Sequence, residues 1–307
     1  MKQIDTYIIE KLKLNKNSNT KYNYHPKDKD ELRSLIEELL EERGPDADLN
    51  DVDVSEITSM YRLFDKLDPH NIDISKWNVS KVTNMAEMFY DCENFNSDLS
   101  NWDVSNVKFM DHLFCNCYSF NSDLSKWDVS KVEHMGAMFC DCKNFNSDLS
   151  KWNVSKVKTM NAIFYGCEKF NSDLSKWDVS NVNTMYRMFR GCTNFNSDLS
   201  NWNVSNVEDM TEMFDRCENF NSDLSKWDVS GVKSMESMFC RCYNFNSDLS
   251  NWNTKSVRAM FNMFRKCYKF DSDLSNWNVE KCNHNMAYMF LDCQSLTIKP
   301  QWYKGRI

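Results

Sequence analysis

The chain has 307 residues, 41% of them hydrophobic, with a formal charge of −8 and 13 cysteines. That acidic balance argues against a nucleic-acid binder, since phosphate neutralisation needs a basic stripe, and no stretch approaches the ~20 apolar residues of a membrane-spanning helix. The opening MKQIDTYIIEKLK breaks its short apolar run with Asp and Glu and lacks a small-residue cleavage site, so it does not read as a signal peptide and the chain reads as cytoplasmic.

In chain order, DTYIIEKLKL reads as a strand or an extended lead-in. DKDELRSLIEELLEERGP then predicts a helix with Leu32, Leu35, Ile36, Leu39 and Leu40 on one face. Asp28 and Glu31 form a capping box at its start, and Gly44 with Pro45 stops it. Residues 1–45 are therefore expected to be an N-terminal cap whose amphipathic helix covers the open end of the first coil beyond it.

From residue 46 one unit recurs. The ten tryptophans, Trp77, Trp102, Trp127, Trp152, Trp177, Trp202, Trp227, Trp252, Trp277 and Trp302, are spaced by 25 residues. A fixed period of about 20 to 29 residues marks a leucine-rich-repeat-like solenoid, in which each unit buries its apolar side only against its neighbours. Residues 46–298 are expected to form about ten coils, stacked at roughly 5 Å each, with 299–307 as a C-terminal cap or tail.

Within the unit around Trp102, the residues Phe95, Leu99, Val104, Val107, Met110, Leu113, Phe114 and Cys117 are also apolar. The steps from Leu99 to Val104 suit an extended strand. Those from Val107 to Cys117 suit one stripe of a short helix, with Ser105 and its equivalents Ser80, Ser130, Ser155, Ser180, Ser205 and Ser230 as N-caps. The predicted fold is thus a repeat solenoid with a parallel β ladder and one short helix per 25-residue coil. Its core repeats Trp102, Trp127, Trp152, Trp177, Trp202, Trp227, Phe114, Phe139, Cys117 and Cys142. A degenerate first coil places Val52 in the Trp slot; in the last, Cys282 replaces Val, and Met286 and Cys293 arrive one residue late.

An active site needs a unique constellation, and nearly every constant residue here is repeated some eight times. Phosphate-cradling glycine loops, nucleophile elbows and His-Glu metal motifs are missing, so the reading is a non-enzymatic protein without cofactor. The Cys-x-Cys pairs lack zinc-ribbon spacing and His25, His70, His112, His134 and His284 fall in different slots, so no metal site is expected either. Cysteines on the 25-residue period, from Cys92 to Cys267, read as packing residues. Cys115, Cys140 and Cys240, just after the core Phe, are expected to be more exposed. Cys115 and Cys140 would bridge only if their Cα atoms approach within about 7 Å; reduced thiols are the expectation.

The polar run Asn96, Ser97, Asp98 and Ser100 recurs in coil after coil. Stacked, these side chains are expected to satisfy turn backbone groups and bond coil to coil. The sharper alternative is an Asp row that binds cations or a polymeric partner; because bare carboxylates would repel one another, each Asp is expected to accept backbone or Ser hydrogen bonds. The residues that differ between coils point elsewhere. Tyr118, Tyr186, Arg187, Arg190, Tyr243, Phe261, Arg265 and Tyr268 put aromatics and arginines on an outer face, a composition typical of protein interfaces.

The unit FN-x-DLS-x-W-D/N-V-S-x-V-x-x-M-x-x-MF-x-x-C resembles the 25-residue repeat of the BspA-like leucine-rich-repeat surface proteins, the DUF285 or mycoplasma-type lipoprotein repeat, over roughly residues 46 to 298. Leu99, Trp102, Met110, Phe114 and Cys117 match its core positions. The resemblance implies a leucine-rich-repeat-like solenoid and, for surface members, attachment to host proteins or other cells. The chain departs from it in having no lipobox Cys near its start and no visible anchor. Two readings are open: a protein-binding or adhesion module with an unidentified protein partner, neither nucleic acid nor membrane, or a self-associating structural component such as a spacer in a virus or phage particle.

Overall fold

A computed structural model describes residues 22–282 and 285–305; the DTYIIEKLKL lead-in and His284 lie outside the described residues. A helix, α1, spans Lys29–Arg43. Asp28 caps it by accepting from the N–H groups of Asp30 and Glu31, and Glu31 reaches back to accept from the Lys27 N–H at 3.0 Å. At the other end Gly44 takes φ 86°, and its N–H closes on the Leu40 carbonyl. Leu32, Leu35, Ile36 and Leu39 are fully buried in the same core as the first coil.

The coils stack in register. Single parallel bridges link Ser59 to Asn84, Asn84 to Phe109, Phe109 to His134, and so on to Ala259. Among the described residues no strand forms, and the only helices are α1 and a short 3-10 turn at Glu280–Cys282. The helix expected in each coil is therefore absent, and hydrogen bonding explains why. The N–H groups of Met85, Glu87, Phe89 and Asp91 donate to Phe109, Asp111, Leu113 and Cys115 of the next coil at 2.9 to 3.0 Å. An α-helix would need those same donors for carbonyls four residues back. The intervening residues close turns instead: Met88 N–H bonds to Met85 O, Tyr90 N–H to Glu87 O, and Cys92 N–H to Phe89 O.

This chain of turns carries left-handed residues at Glu87 (φ 55°) and Asp91 (φ 58°), and at their equivalents down the stack. For L-residues that region costs on the order of 1 kcal/mol, least for Gly, Asn and Asp. The slot of Asp91 is filled next by Asn116, Asp141, Gly166 and Gly191, as that cost favours, and then by Arg216, Arg241 and Lys266, which take φ of 62° to 64° against it. Turns closing every three residues repeat apolar positions at the same interval as a short helix, which is why the stripe alone did not separate them.

The expected strand from Leu99 to Val104 is also a pair of turns, with Trp102 N–H on Leu99 O and Val107 N–H on Val104 O. Ser105 is no helix cap: its own N–H is held by Asp103 Oδ1 at 3.1 Å, just as Ser100 N–H is held by Asp98 Oδ1 at 2.9 Å. Inside the coils the aromatic rings form columns. Phe89, Phe114, Phe139 and Phe164 stack at 5.6 to 5.8 Å, while Phe95, Phe120 and Phe145 stack at 5.9 Å beside them.

Stacking leaves unpaired backbone groups at each end. The guanidinium of Arg33, on α1, donates to the carbonyls of Arg62, Leu63 and Asp65 at 2.8 to 3.0 Å. In inner coils the slots of Leu63 and Asp65 accept from the preceding coil, as Leu113 O does from Phe89 N–H and Cys115 O from Asp91 N–H. At the far end Tyr303 packs edge-on against Phe290 at 4.9 Å and covers the last coil. No helix among the described residues is long and apolar enough to cross a membrane.

Candidate interaction surface

The repeated polar residues form an internal lattice. Each Asn in the slot of Asn96 accepts, through Oδ1, the backbone N–H of its counterpart one coil on, from Asn121 on Asn96 to Asp271 on Asn246, at 2.7 to 2.9 Å. From Ser122 to Ser272 each hydroxyl in the slot of Ser97 accepts the Leu N–H of the preceding coil, as Ser172 Oγ does for Leu149 at 2.8 Å, while Ser97 itself donates to Ile72 O. The Trp177 Nε1–H donates to Leu149 O at 3.0 Å, and each other Trp of the column makes the equivalent bond. Even the period-25 thiols join in: Cys142 Sγ–H donates to Phe114 O at 2.9 Å.

These bonds have two electrostatic consequences. The Ser125 N–H, then its hydroxyl, hold Asp123 below the usual aspartate range, and the same partners act on Asp148, Asp173, Asp198, Asp223 and Asp248. Burial pushes the column cysteines well above the ordinary thiol value, which keeps them protonated as donors. All thirteen cysteines are free thiols. Contrary to expectation, Cys115 and Cys240 are buried, at 5% and 4% exposure, and only Cys140 of those three is half-buried. Cys115 and Cys140 lie side by side, and the Cys115 thiol raises the Cys140 value first, ahead of burial. Among the described residues no group of three or more His, Cys, Asp or Glu is placed to hold a metal.

The residues that vary between coils occupy the turn chain and the loop after it. All eight outer-face candidates are half-buried rather than fully exposed, because each side chain lies along the surface against the adjoining coil. They fall into separate groups. Arg187 stacks on Tyr186 at 4.7 Å and pairs with Glu212 at 2.8 Å, whose carboxylate raises its pKa. Arg190 bridges Glu212 at 2.8 Å and Asp215 at 3.0 Å, and lies over the Tyr165 ring. Tyr243 and Tyr268 stack face to face at 4.9 Å with their planes 6° apart, and Phe261 meets Tyr288 edge-on. Tyr118 stands apart under Lys143. Arg265 makes no ion pair among the described residues.

The sequence reading missed Glu212 and the buried Asp215, which anchor this arginine cluster. An acid in a slot held by Cys, Tyr and Arg in the other regular coils, with Asp65 in the degenerate first coil, was the available signal. It also missed Phe109, 38% exposed and stacked on His134 at 5.2 Å. Beside the cluster lies a depression of about 370 Å³ lined by Gly166 and Gly191 and edged by Asp141, Lys143, Arg190, Arg216 and Glu218.

The model of the family described as "Mycoplasma protein of unknown function, DUF285" matches residues 34–152, 120–224 and 197–302, together spanning most of the chain. The chain belongs to the DUF285 family. No curated protein matches it. Among solved structures, a leucine-rich repeat protein from Bacteroides ovatus is 15% identical, with 71% of this chain and 70% of that chain covered and a TM-score of 0.28. A second, from Eubacterium ventriosum, is 14% identical over 73% and 59% of the two chains, with a TM-score of 0.28. TLR13, crystallised in the TLR13-ssRNA13 complex, is 14% identical with a TM-score of 0.26; the match covers 88% of this chain and 37% of that one. As a DUF285 repeat protein, the chain has its constant residues committed to holding coil on coil.

Proposed function

We propose that the protein is a non-enzymatic recognition module that binds another protein through the variable turn face of its solenoid, in the manner of an adhesion or attachment protein. One observation carries the reading. The constant polar residues are engaged in coil-to-coil and turn bonding, while the residues that change from coil to coil gather on one face rich in Tyr, Phe and Arg. Side chains of that kind concentrate binding energy at interfaces, because they bury large area at modest entropic cost.

The test is capture of a partner from host-cell surface fractions by the intact chain, followed by direct binding with purified components. The comparison variant changes Tyr118, Tyr186, Arg187, Tyr243, Phe261 and Tyr268 to Ser. Retention of binding by the variant would move the site to the Asn-Ser-Asp face. The assembly reading has one observation against it: Arg33 already occupies backbone carbonyls at one end and the Tyr303 ring covers Phe290 at the other, so axial stacking of copies would have to displace them. A column profile whose apparent size grows with concentration would restore it.

A further inference from the structure

We propose that the last regular coils carry a docking site for an acidic polypeptide segment, formed by Arg241, Arg265, Lys266 and Lys269 beside the stacked rings of Tyr243 and Tyr268. This rests on the reading that the variable face binds protein, and it names the chemistry of the partner at one end of that face.

Charge is unevenly distributed along the variable face. Its first full coil carries Glu87, Asp91 and Glu93, whereas residues 261–270 hold Arg265, Lys266 and Lys269 with no acidic residue among them. Arg62 is neutralised within the fold by Glu87, Arg187 by Glu212, and Arg190 by Glu212 and Asp215, while Arg216, one coil before Arg241, reaches Asp215 only at 4.0 Å. Arg241 reaches Asp215 only at 3.7 Å, and that carboxylate is already engaged by Arg190. Among the described residues, Arg265, Lys266 and Lys269 form no ion pair.

Arg265 is the informative member. It is half-buried, and its Nε is shielded from solvent with no hydrogen-bond acceptor. A cation partly withdrawn from water without a counter-charge is unfavourable, and an incoming carboxylate relieves it. A guanidinium also matches a carboxylate in a two-point geometry that a lysine lacks. The Tyr243–Tyr268 stack adds a flat aromatic wall on the same coils.

The extent of the patch selects a short peptide over a long polyanion. It covers about two coils, or roughly 10 Å along the axis. A nucleic acid following the face would next meet Glu236 and Glu218, in a molecule whose formal charge is −8.

The experiment uses the full chain and a fluorescein-labelled oligoglutamate peptide, read by anisotropy at low and high salt. The native protein is expected to bind, with affinity falling as salt rises. Arg265→Gln/Lys266→Gln/Lys269→Gln is expected to bind about tenfold more weakly or worse, while Lys126→Gln/Lys151→Gln/Lys176→Gln, the same charge change on other surfaces, stays within about twofold of native. Should the triple variant fail to fold, Lys266→Gln/Lys269→Gln carries the same comparison on two side chains outside the core. The proposal falls if the native chain does not bind, if both triple variants lose affinity equally, or if oligothymidylate of equal charge binds as tightly. A captured partner that still binds the Arg265 variant would remove this site while leaving the broader reading intact; loss of that partner from the six-residue variant alone would do the same.

Discussion

Trp177 is 3% exposed, lies parallel to Trp152 at 6.5 Å, and donates its indole N–H to Leu149 O. Replacing it removes a large buried ring and leaves a carbonyl without its donor, inside a column held on both sides. Trp177→Ala is therefore expected to cost about 3 to 5 kcal/mol in urea unfolding; a loss under about 1 kcal/mol would place the column at the surface. Aspartates act differently, because their value lies in an oxygen. The slot of Asp103 takes Asn or Asp with the same geometry: Asn153 Oδ1 holds Ser155 N–H at 3.1 Å and Asp128 Oδ1 holds Ser130 N–H at 3.0 Å. Carboxylates whose folded pKa is depressed contribute stability above their unfolded value, near 4, and lose it as pH falls through the folded value. Stability is expected to decline below about pH 4 for this reason. Asp123→Asn/Asp148→Asn/Asp173→Asn should keep the turns and flatten that acid limb in denaturation midpoints measured against pH. An unchanged limb would assign the acid sensitivity to other groups.

Among the elements, α1 was legible because each of its signals is local. Asp28, Glu31, Gly44 and the leucine stripe act within one turn of where they stand, and the structure uses them in those roles. The turn chain was not legible from its apolar steps, since short helices and successive turns share a spacing of three. The Asn, Asp and Gly run in the slot of Asp91 was the overlooked cue. Arg33 belongs to this scale, for it closes the open edge of an element rather than filling a core. Arg33→Ala is expected to cost about 2 kcal/mol and to speed amide exchange in α1 and residues 57–67 ahead of the central coils, since a solenoid frays from an uncapped end. Uniform acceleration through the whole stack would show that the end is not held by this cap.

The whole molecule behaves as a one-dimensional stack in which the backbone bonds of each inner coil run to the adjacent coils. Thiol chemistry reports on its closure. Cys92, Cys117, Cys142, Cys167, Cys192, Cys217, Cys242 and Cys267 are fully buried, whereas Cys140 and Cys293 are half-buried; pKa values are raised in both sets, so it is access that separates them. Iodoacetamide on the native protein, followed by mass spectrometry, is expected to label Cys140 and Cys293 first and to reach the column only after denaturation. Early labelling of the column would mean that the coils open independently of global unfolding. The proposed recognition face is likewise a property of the stack, because Arg187 and Arg190 belong to one coil and Glu212 and Asp215 to the next, and the pairs meet only when the two coils are in register.

The 25-residue period, the burial of the Trp, Phe and Cys columns, and the helix before them could be derived from the order of residues, because self-similarity and apolar periodicity are read along the chain. Which backbone groups pair could not. Those bonds join residues one coil apart, as Phe89 N–H is joined to Leu113 O, and an N–H that might serve a helix is claimed by the next coil only once that coil is in place. For the same reason the half-burial of Arg187 and Arg190, and the unneutralised charge of Arg265, emerged from packing: each depends on which side chain the adjoining coil sets beside it.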